Sequence, residues 1–118
     1  MKHIELLDNA AANGTRYDEI GINRTFGEAY FTAFESGNEL LDFAEVIWDE
    51  DIEAILENCR RFGIEKFTIS SNFSSLTKTI ARFLELGCNL EGMTEVKSRF
   101  TDWHTREKEI LPAFLLSI

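Results

Sequence analysis

The stretch of sequence that decides the fold is residues 49–70, DEDIEAILENCRRFGIEKFTIS, because it predicts a helix followed by a strand. Apolar residues spaced three and four apart indicate an amphipathic helix over residues 49–62. They are Ile52, Ile55, Leu56, Cys59 and Phe62. Gly63 supplies the left-handed residue that commonly ends a helix. The short, apolar, β-prone run at residues 66–70 is typical of a buried strand.

Similar patterns occur on both sides of this stretch. We expect strands over residues 40–48, 94–100 and 110–118. Another helix is expected before the second of these strands, with an apolar stripe at Leu76, Ile80, Phe83 and Leu84. The order β-α-β-α-β-β predicts a single α/β domain (α+β-like) over residues 1–118, with a mixed sheet of about four strands. Pro112 lacks a backbone donor, so it predicts that the final strand lies at an edge.

One or two helices are expected before the sheet. Residues 2–12 have the spacing of a short helix that stops at Gly14. A second helix is expected to begin at Thr25, because Thr25 and Glu28 match the capping box, and to end at Gly37. The apolar face of this second helix is predicted to contain Phe26, Tyr30, Ala33 and Phe34.

Composition excludes several classes of protein. The 118 residues are 44% hydrophobic, which is too apolar for a disordered chain, and no apolar run is long enough to span a bilayer. The first residues have neither a secretory nor a transit pattern, so we expect a cytoplasmic location. The formal net charge of −9 argues against direct binding to nucleic acid or to an anionic membrane.

The common catalytic motifs are missing from the sequence, so we expect no catalytic residue, no cofactor and no metal site. His3 and His104 are far apart along the chain. Cys59 lies on the apolar stripe of a predicted helix, and Cys88 follows a helix-ending glycine. Both thiols are therefore expected to pack in the core rather than to react.

A serine-rich segment follows the predicted strand at residues 66–70. Ligands of α/β sheets bind where a strand gives way to a helix, and free amide groups there attract anions. The candidate anion-binding residues are Ser70, Ser71, Asn72 and Ser74, with Arg99 or Arg106 as an anion partner. This interpretation makes the protein a small anion- or nucleotide-binding enzyme or sensor. Helix capping by the same residues is the simpler explanation, because the glycines of phosphate-binding loops are missing.

Residues 101–107 are predicted to form a polar loop between the last two strands. Trp103 close to Arg106 is typical of residues that anchor protein interfaces. A hairpin loop that covers the edge of the sheet would also use Trp103, as a lid. The sequence favours neither interpretation over the other.

Charge is distributed unevenly along the chain. Residues 1–59 hold 14 acids and 3 bases, whereas residues 60–118 hold 7 acids and 9 bases. Acids at the start of the helix over residues 49–62 and arginines at its end suit the helix dipole. Glu57 is placed to pair with Arg60 or Arg61 along the helix surface.

Glu50, Glu53 and Glu57 are expected on one flank of that helix, where like charges at this spacing repel one another. An ordinary solvated face is the simpler explanation. The functional alternative is an acidic face that imitates the phosphate row of a nucleic acid and occupies a basic groove on a partner. The candidate partner-binding residues are Glu45, Asp49, Glu50, Glu53, Glu57, Trp103 and Arg106.

Four short motifs carry a resemblance to a known group of proteins. They are VIWD at residues 46–49, FTISS at residues 67–71, TDW at residues 101–103 and ILPA at residues 110–113. In motif order and spacing, roughly residues 42–118 resemble a family of short uncharacterised proteins from Gram-positive bacteria and their mobile elements. The resemblance implies no activity and no site. It implies a genetic setting in which small acidic proteins inhibit host defence nucleases, as anti-CRISPR proteins do.

The leading hypothesis is a non-enzymatic acidic protein-binding module that inhibits a host nucleic-acid-binding defence system through its acidic face. Its partner would be a basic protein, with no direct contact to nucleic acid or membrane. One alternative is the anion- or nucleotide-binding enzyme or sensor. Another is a regulatory partner within its own operon, acting as a homodimer through the terminal strand.

Overall fold

The computed structural model describes residues 3–101 and 103–118, without the side chains of residues 99 and 100. The described residues form four α-helices, a 3-10 helix and four strands, in the order that the sequence predicts after residue 40. The helices are α1 (Glu5–Asn13), the 3-10 helix (Tyr17–Ile20), α2 (Arg24–Ser36), α3 (Asp49–Arg61) and α4 (Leu76–Glu85). The strands are β1 (Leu41–Phe43), β2 (Lys66–Ile69), β3 (Asn89–Thr101) and β4 (Lys108–Ser117). The expected start of the first helix, at residue 2, lies outside the described residues.

The strands form one mixed sheet in the order β1-β2-β4-β3. β1 and β2 are parallel and are connected through α3, as a strand–helix–strand unit requires. β4 is antiparallel to both β2 and β3. The predicted α+β class and mixed four-stranded sheet, preceded by N-terminal helices, are confirmed.

The prediction that the final strand lies at an edge is wrong, because β4 lies between β2 and β3. The physical reason is that only residues 114–117 of β4 pair with β2, whereas β3 pairs along nearly all of β4. Pro112 lies beyond the last pair, Ile69 with Phe114, where β4 has a neighbour on one side only. A proline is tolerated where one side of a strand needs no donor.

The core lies between the sheet and the helices, and α3 supplies its centre. The most buried side chains of α3 are Ile52, Ile55, Leu56 and Cys59. Phe83 of α4 is fully buried, but Leu84, expected on the same face, is 41% exposed because each helical residue is rotated about 100° from the last. Phe34 is displaced in the same way from the buried Ala33 of α2 and is 38% exposed.

β1 is shorter than the strand expected over residues 40–48. It pairs only with β2, whose four residues end at Ile69, so the ladder stops at Phe43. Ile47 is buried, but it belongs to the loop that leads into α3. This loop places Glu45, Val46 and Trp48 on the surface beside α2.

The capping box at Thr25 and Glu28 is also wrong. α2 begins at Arg24 and is capped by Asn23, two residues before the expected cap; the Oδ1 of Asn23 accepts a hydrogen bond from the backbone N–H of Phe26 at 3.1 Å. The side-chain amide of Asn23 donates to Asp51 at 3.2 Å, so the same residue links α2 to α3. Glu28 instead accepts a hydrogen bond from Arg24 at 3.1 Å.

Candidate functional site

A half-buried carboxylate lies at the carboxyl ends of the two parallel strands. Asp42 of β1 accepts hydrogen bonds from Thr68 Oγ1 at 2.7 Å and from Ser70 Oγ at 2.6 Å. Burial raises the pKa of the Asp42 carboxyl above its usual value, and the two hydrogen bonds oppose that rise. Asp42 borders a cavity of about 40 Å³ between α2 and the β3–β4 hairpin, which has room for one or two water molecules.

The serine-rich segment is organised by this carboxylate. The Ser70 hydroxyl donates to Asp42, and the backbone N–H of Ser71, which is buried, donates to the Phe43 carbonyl at 3.3 Å. Asn72 and Ser74 are exposed. A negative carboxylate beside Ser70 opposes the binding of an anion there. The anion site stays a prediction, for which this geometry provides no support.

Helix capping does not explain the serine-rich segment either. The N-cap residue of α4 is Ser75, and its side chain makes no capping hydrogen bond. Of the proposed anion partners, Arg106 is exposed in the hairpin loop and adopts a left-handed backbone conformation with φ 58°. The side chain of Arg99 lies outside the described part of the chain.

The structure divides the acidic flank of α3 into separate environments. Glu50, Glu53 and Glu57 are all exposed, but only Glu53 of these three forms an ion pair within the described residues, with Arg82 of α4 at 3.1 Å. The expected pairing of Glu57 with an arginine of its own helix does not occur. The reason is that Arg60 donates to the Leu86 carbonyl at 3.4 Å and Arg61 to the Gly21 carbonyl at 3.3 Å.

A second acidic surface, which the sequence analysis missed, lies between α2 and the loop before α3. It is a groove of about 720 Å³, hereafter the acidic groove. Its lining residues are Arg24, Thr25, Glu28, Phe31, Thr32, Glu35, Glu45, Val46, Trp48 and Asp51. Trp48 and Val46 are 63% and 41% exposed. The groove brings Glu45, a predicted partner-binding residue, together with Trp48 and three further acids.

One sequence signal pointed to Trp48. It precedes Asp49, the first residue of α3, and is therefore the N-cap residue, a position that favours Ser, Thr, Asp or Asn. Its side chain makes no capping hydrogen bond. A tryptophan outside the apolar stripe and inside an acidic tract belongs to a residue type that is enriched at protein interfaces. The residues of α2 that line the groove are distant from Trp48 along the chain, so their proximity to it cannot be predicted from the spacing of residues in the sequence.

Trp103 is 95% exposed, so the interpretation of its loop as a lid over the sheet is wrong. Residue 102, the acid expected beside it, lies outside the described residues. β4 extends six residues beyond Phe114, its last residue that pairs with β2, so the hairpin projects up to roughly 20 Å beyond β2. Because β4 runs antiparallel to β2, the hairpin tip lies at the end of the sheet where β1 and β2 terminate, as does the loop that carries Trp48.

Neither cysteine has the environment of a reactive thiol. Cys59 and Cys88 are both buried, and burial raises the pKa of Cys59 to about 12 and that of Cys88 in the same direction. Over residues 3–101 and 103–118 there is no group of three His, Cys, Asp or Glu side chains that could hold a metal ion. No helix in the described part of the chain is long and apolar enough to cross a membrane.

The fold and these surfaces define a small α+β domain with a mixed four-stranded sheet and an acidic face that includes exposed tryptophan. The chain belongs to the family described as a domain of unknown function (DUF7698), whose model matches residues 25–118. The match begins at Thr25, the second residue of α2, and therefore earlier than the motifs over residues 42–118 indicate. No curated protein and no solved structure matches the chain.

Proposed function

We propose that this protein is a non-enzymatic binding module that attaches to a basic protein through its acidic surface. The observation that carries the proposal is that both tryptophans of the chain, Trp48 and Trp103, are exposed. Large aromatic side chains are normally used in the core, as Phe26, Phe67 and Phe83 are here. Exposed tryptophan is instead typical of the residues that dominate binding energy at protein interfaces.

The charges around Trp48 support a basic partner. Trp48 adjoins Asp49 and Glu50, which are exposed in the first turn of α3. Acids there are favoured by the helix dipole, which explains their stability but does not remove their charge. An acidic surface of this kind accelerates association with a positively charged partner and discriminates against acidic ones.

The finer hypothesis is that the partner is a nucleic-acid-binding defence protein of the host. Under it, the protein is a cytoplasmic, anti-CRISPR-like inhibitor encoded by a mobile element of a Gram-positive bacterium. The exposed acids at Glu45, Asp49, Glu50 and Glu57 would occupy the groove that normally holds phosphates, and Trp103 with Arg106 would form a contact at the hairpin tip. The support for this hypothesis is the charge pattern and the resemblance of the motifs. A regulatory partner from the same operon is the alternative with the same surface chemistry.

The test is to identify the partner and to measure how binding depends on charge. The tagged protein captures its partner from a lysate of the source organism, and the partner is identified by mass spectrometry and purified. We expect Glu50→Gln with Glu57→Gln to slow association with that partner and to reduce the salt dependence of the affinity. Glu53 is left in place because it pairs with Arg82.

Glu5→Gln with Glu65→Gln is the matched control, since it removes the same charge at exposed positions that lie neither on α3 nor in the acidic groove. It should leave the association rate close to that of the wild type. Tight binding that is insensitive to salt, and unchanged in the Glu50 and Glu57 variant, would contradict an acidic docking surface. Direct binding of the purified protein to DNA or RNA at moderate salt would contradict it as well.

A further inference from the structure

We propose that the acidic groove is a docking site for an arginine-bearing segment of a partner protein, with Trp48 as the surface on which a guanidinium group stacks. The inference rests on the proposed function for the basic character of the partner. It assigns a second site, distinct from the flank of α3, and the kind of side chain which that site accepts.

The shape of the groove supports a side-chain docking site. Phe31, Val46 and Trp48 provide apolar surface, and Glu28 and Glu35 lie on one face of α2 about 10 Å apart along its axis. A volume of about 720 Å³ accommodates several side chains of a bound segment. Apolar surface flanked by separated carboxylates matches a segment whose cationic groups are carried on aliphatic stems.

Acids outnumber bases among the described residues that line the groove. Within that described lining Arg24 is the one cation, and Glu28 already binds it at 3.1 Å. Asp51 accepts a hydrogen bond from the neutral amide of Asn23, which brings no positive charge to the groove. The groove therefore favours an occupant that brings positive charge.

Trp48 identifies arginine as the cation that fits best. Its ring contributes no capping hydrogen bond to α3, although it occupies the position where a small polar side chain would stabilise the helix. The ring is 63% exposed and lies beside carboxylates. A guanidinium group stacks on an indole and binds a carboxylate through two parallel hydrogen bonds, whereas an ammonium group cannot bind in that bidentate way.

The experiment uses a short synthetic peptide with two arginines, and matched peptides in which lysine or neutral citrulline replaces both. Binding is followed by the fluorescence of Trp48 in a Trp103→Phe background, so that the groove alone is observed. We expect the arginine peptide to bind about fivefold more tightly than the lysine peptide and the citrulline peptide not to bind. Affinity should fall as salt rises.

Two variants of the groove test the assignment of residues. Glu28→Gln with Glu35→Gln should weaken binding of the arginine peptide by about tenfold, whereas Glu5→Gln with Glu65→Gln should leave it unchanged. Trp48→Ser, followed by nuclear magnetic resonance, should abolish peptide binding while the melting temperature is retained or raised, because serine is a favoured N-cap residue. A loss of melting temperature in Trp48→Ser would show that Trp48 is a structural residue and would overturn its role as a stacking surface.

Equal binding of the lysine and arginine peptides, or binding that persists in Glu28→Gln with Glu35→Gln, would overturn the inference. The proposed function fails by a different result, which is salt-insensitive binding of the captured partner. If the partner binds with the expected salt dependence but the arginine peptide does not bind, the proposed function stands and only the assignment of the groove as an arginine-binding site is overturned.

Discussion

The role of Cys59 as a core residue follows from its position along α3. It lies on the stripe that includes Ile52, Ile55 and Leu56, and its side chain is fully buried. Burial raises the pKa of its thiol to about 12, and the nearby thiol of Cys88 adds to that rise. A neutral thiol among apolar side chains is a small hydrophobic group and not a nucleophile.

We therefore expect neither cysteine to react with a thiol reagent while the protein is folded. Cys59→Ala should lower the free energy of unfolding by about 1–2 kcal/mol, because it removes a fully buried atom from the core. Labelling is measured with and without urea, and stability by urea denaturation. Rapid labelling of either cysteine in the native protein would contradict this assignment and would reopen the question of an enzyme.

Trp48 and Asp42 mark the limit of what the sequence predicts at the scale of single residues. The position of Cys59 follows from a period of 3.6 residues, which is a local property. The contact of Asp42 with Ser70 spans 28 positions along the chain and depends on how β1 aligns with β2. The groove that contains Trp48 depends in the same way on how α2 packs beside the loop after β1. No pattern in the sequence encodes these distances.

At the scale of elements, the start of α2 illustrates how a local motif competes with tertiary contacts. Thr25 and Glu28 have the spacing of a capping box, but Asn23 caps the helix. Asn23 is also held in place from α3, because its backbone N–H donates to the Asn58 side chain at 2.8 Å and its amide to Asp51. These two contacts favour the earlier start.

Asn23→Ala should therefore lower the free energy of unfolding by about 1–2 kcal/mol, as the loss of a helix cap does. Thr25→Ala is the matched control, and its effect should stay within about 0.5 kcal/mol, since the Thr25 side chain does not cap the helix. Both values come from urea denaturation. A larger loss for Thr25→Ala than for Asn23→Ala would show that the capping box forms in solution.

Strong amphipathic patterns predicted the elements well, and strand partners were harder to predict. α3 was expected over residues 49–62 and forms over Asp49–Arg61. The prediction was accurate because the apolar stripe and the charges at the two ends of the helix indicate the same boundaries. The order of strands in the sheet depends on long-range pairing. Pro112 correctly indicates a missing neighbour, but that gap is local to one part of β4 and does not make the strand an edge. A single proline indicates only whether a hydrogen-bond donor is needed at its own position, and it does not determine where the whole strand lies in the sheet.

At the scale of the whole molecule, the topology gathers the candidate interface at one end of the sheet. α3 begins where β1 has ended, which places Trp48, Asp49 and Glu50 at the carboxyl ends of the parallel strands. The β3–β4 hairpin carries Trp103 beyond the same end. The acidic first half of the sequence therefore places acids and one aromatic side chain, Trp48, together at this end, and the second half, in which bases outnumber acids, adds Trp103. Such a combination supports both rapid encounter and a lasting contact.

The exposure of both tryptophans has a direct spectroscopic consequence. Unfolding in urea should change the tryptophan emission maximum little, since Trp103 is 95% exposed and Trp48 is 63% exposed before the chain unfolds. The far-ultraviolet circular dichroism of the same samples should show a cooperative transition, because the helices and the core are lost together. The Trp48→Phe protein reports Trp103 alone and should show the smallest change in emission of all.

The single-tryptophan proteins also distinguish a free hairpin from a covered one. If Trp103 stacks on a second copy of the chain, its emission in Trp48→Phe will lie at shorter wavelength and will shift as the protein is diluted, because association depends on concentration. If the hairpin folds back on its own sheet, the emission will lie at shorter wavelength at every concentration. Emission typical of water, independent of dilution, is expected from the exposure of Trp103, and it would leave that residue available for a different protein.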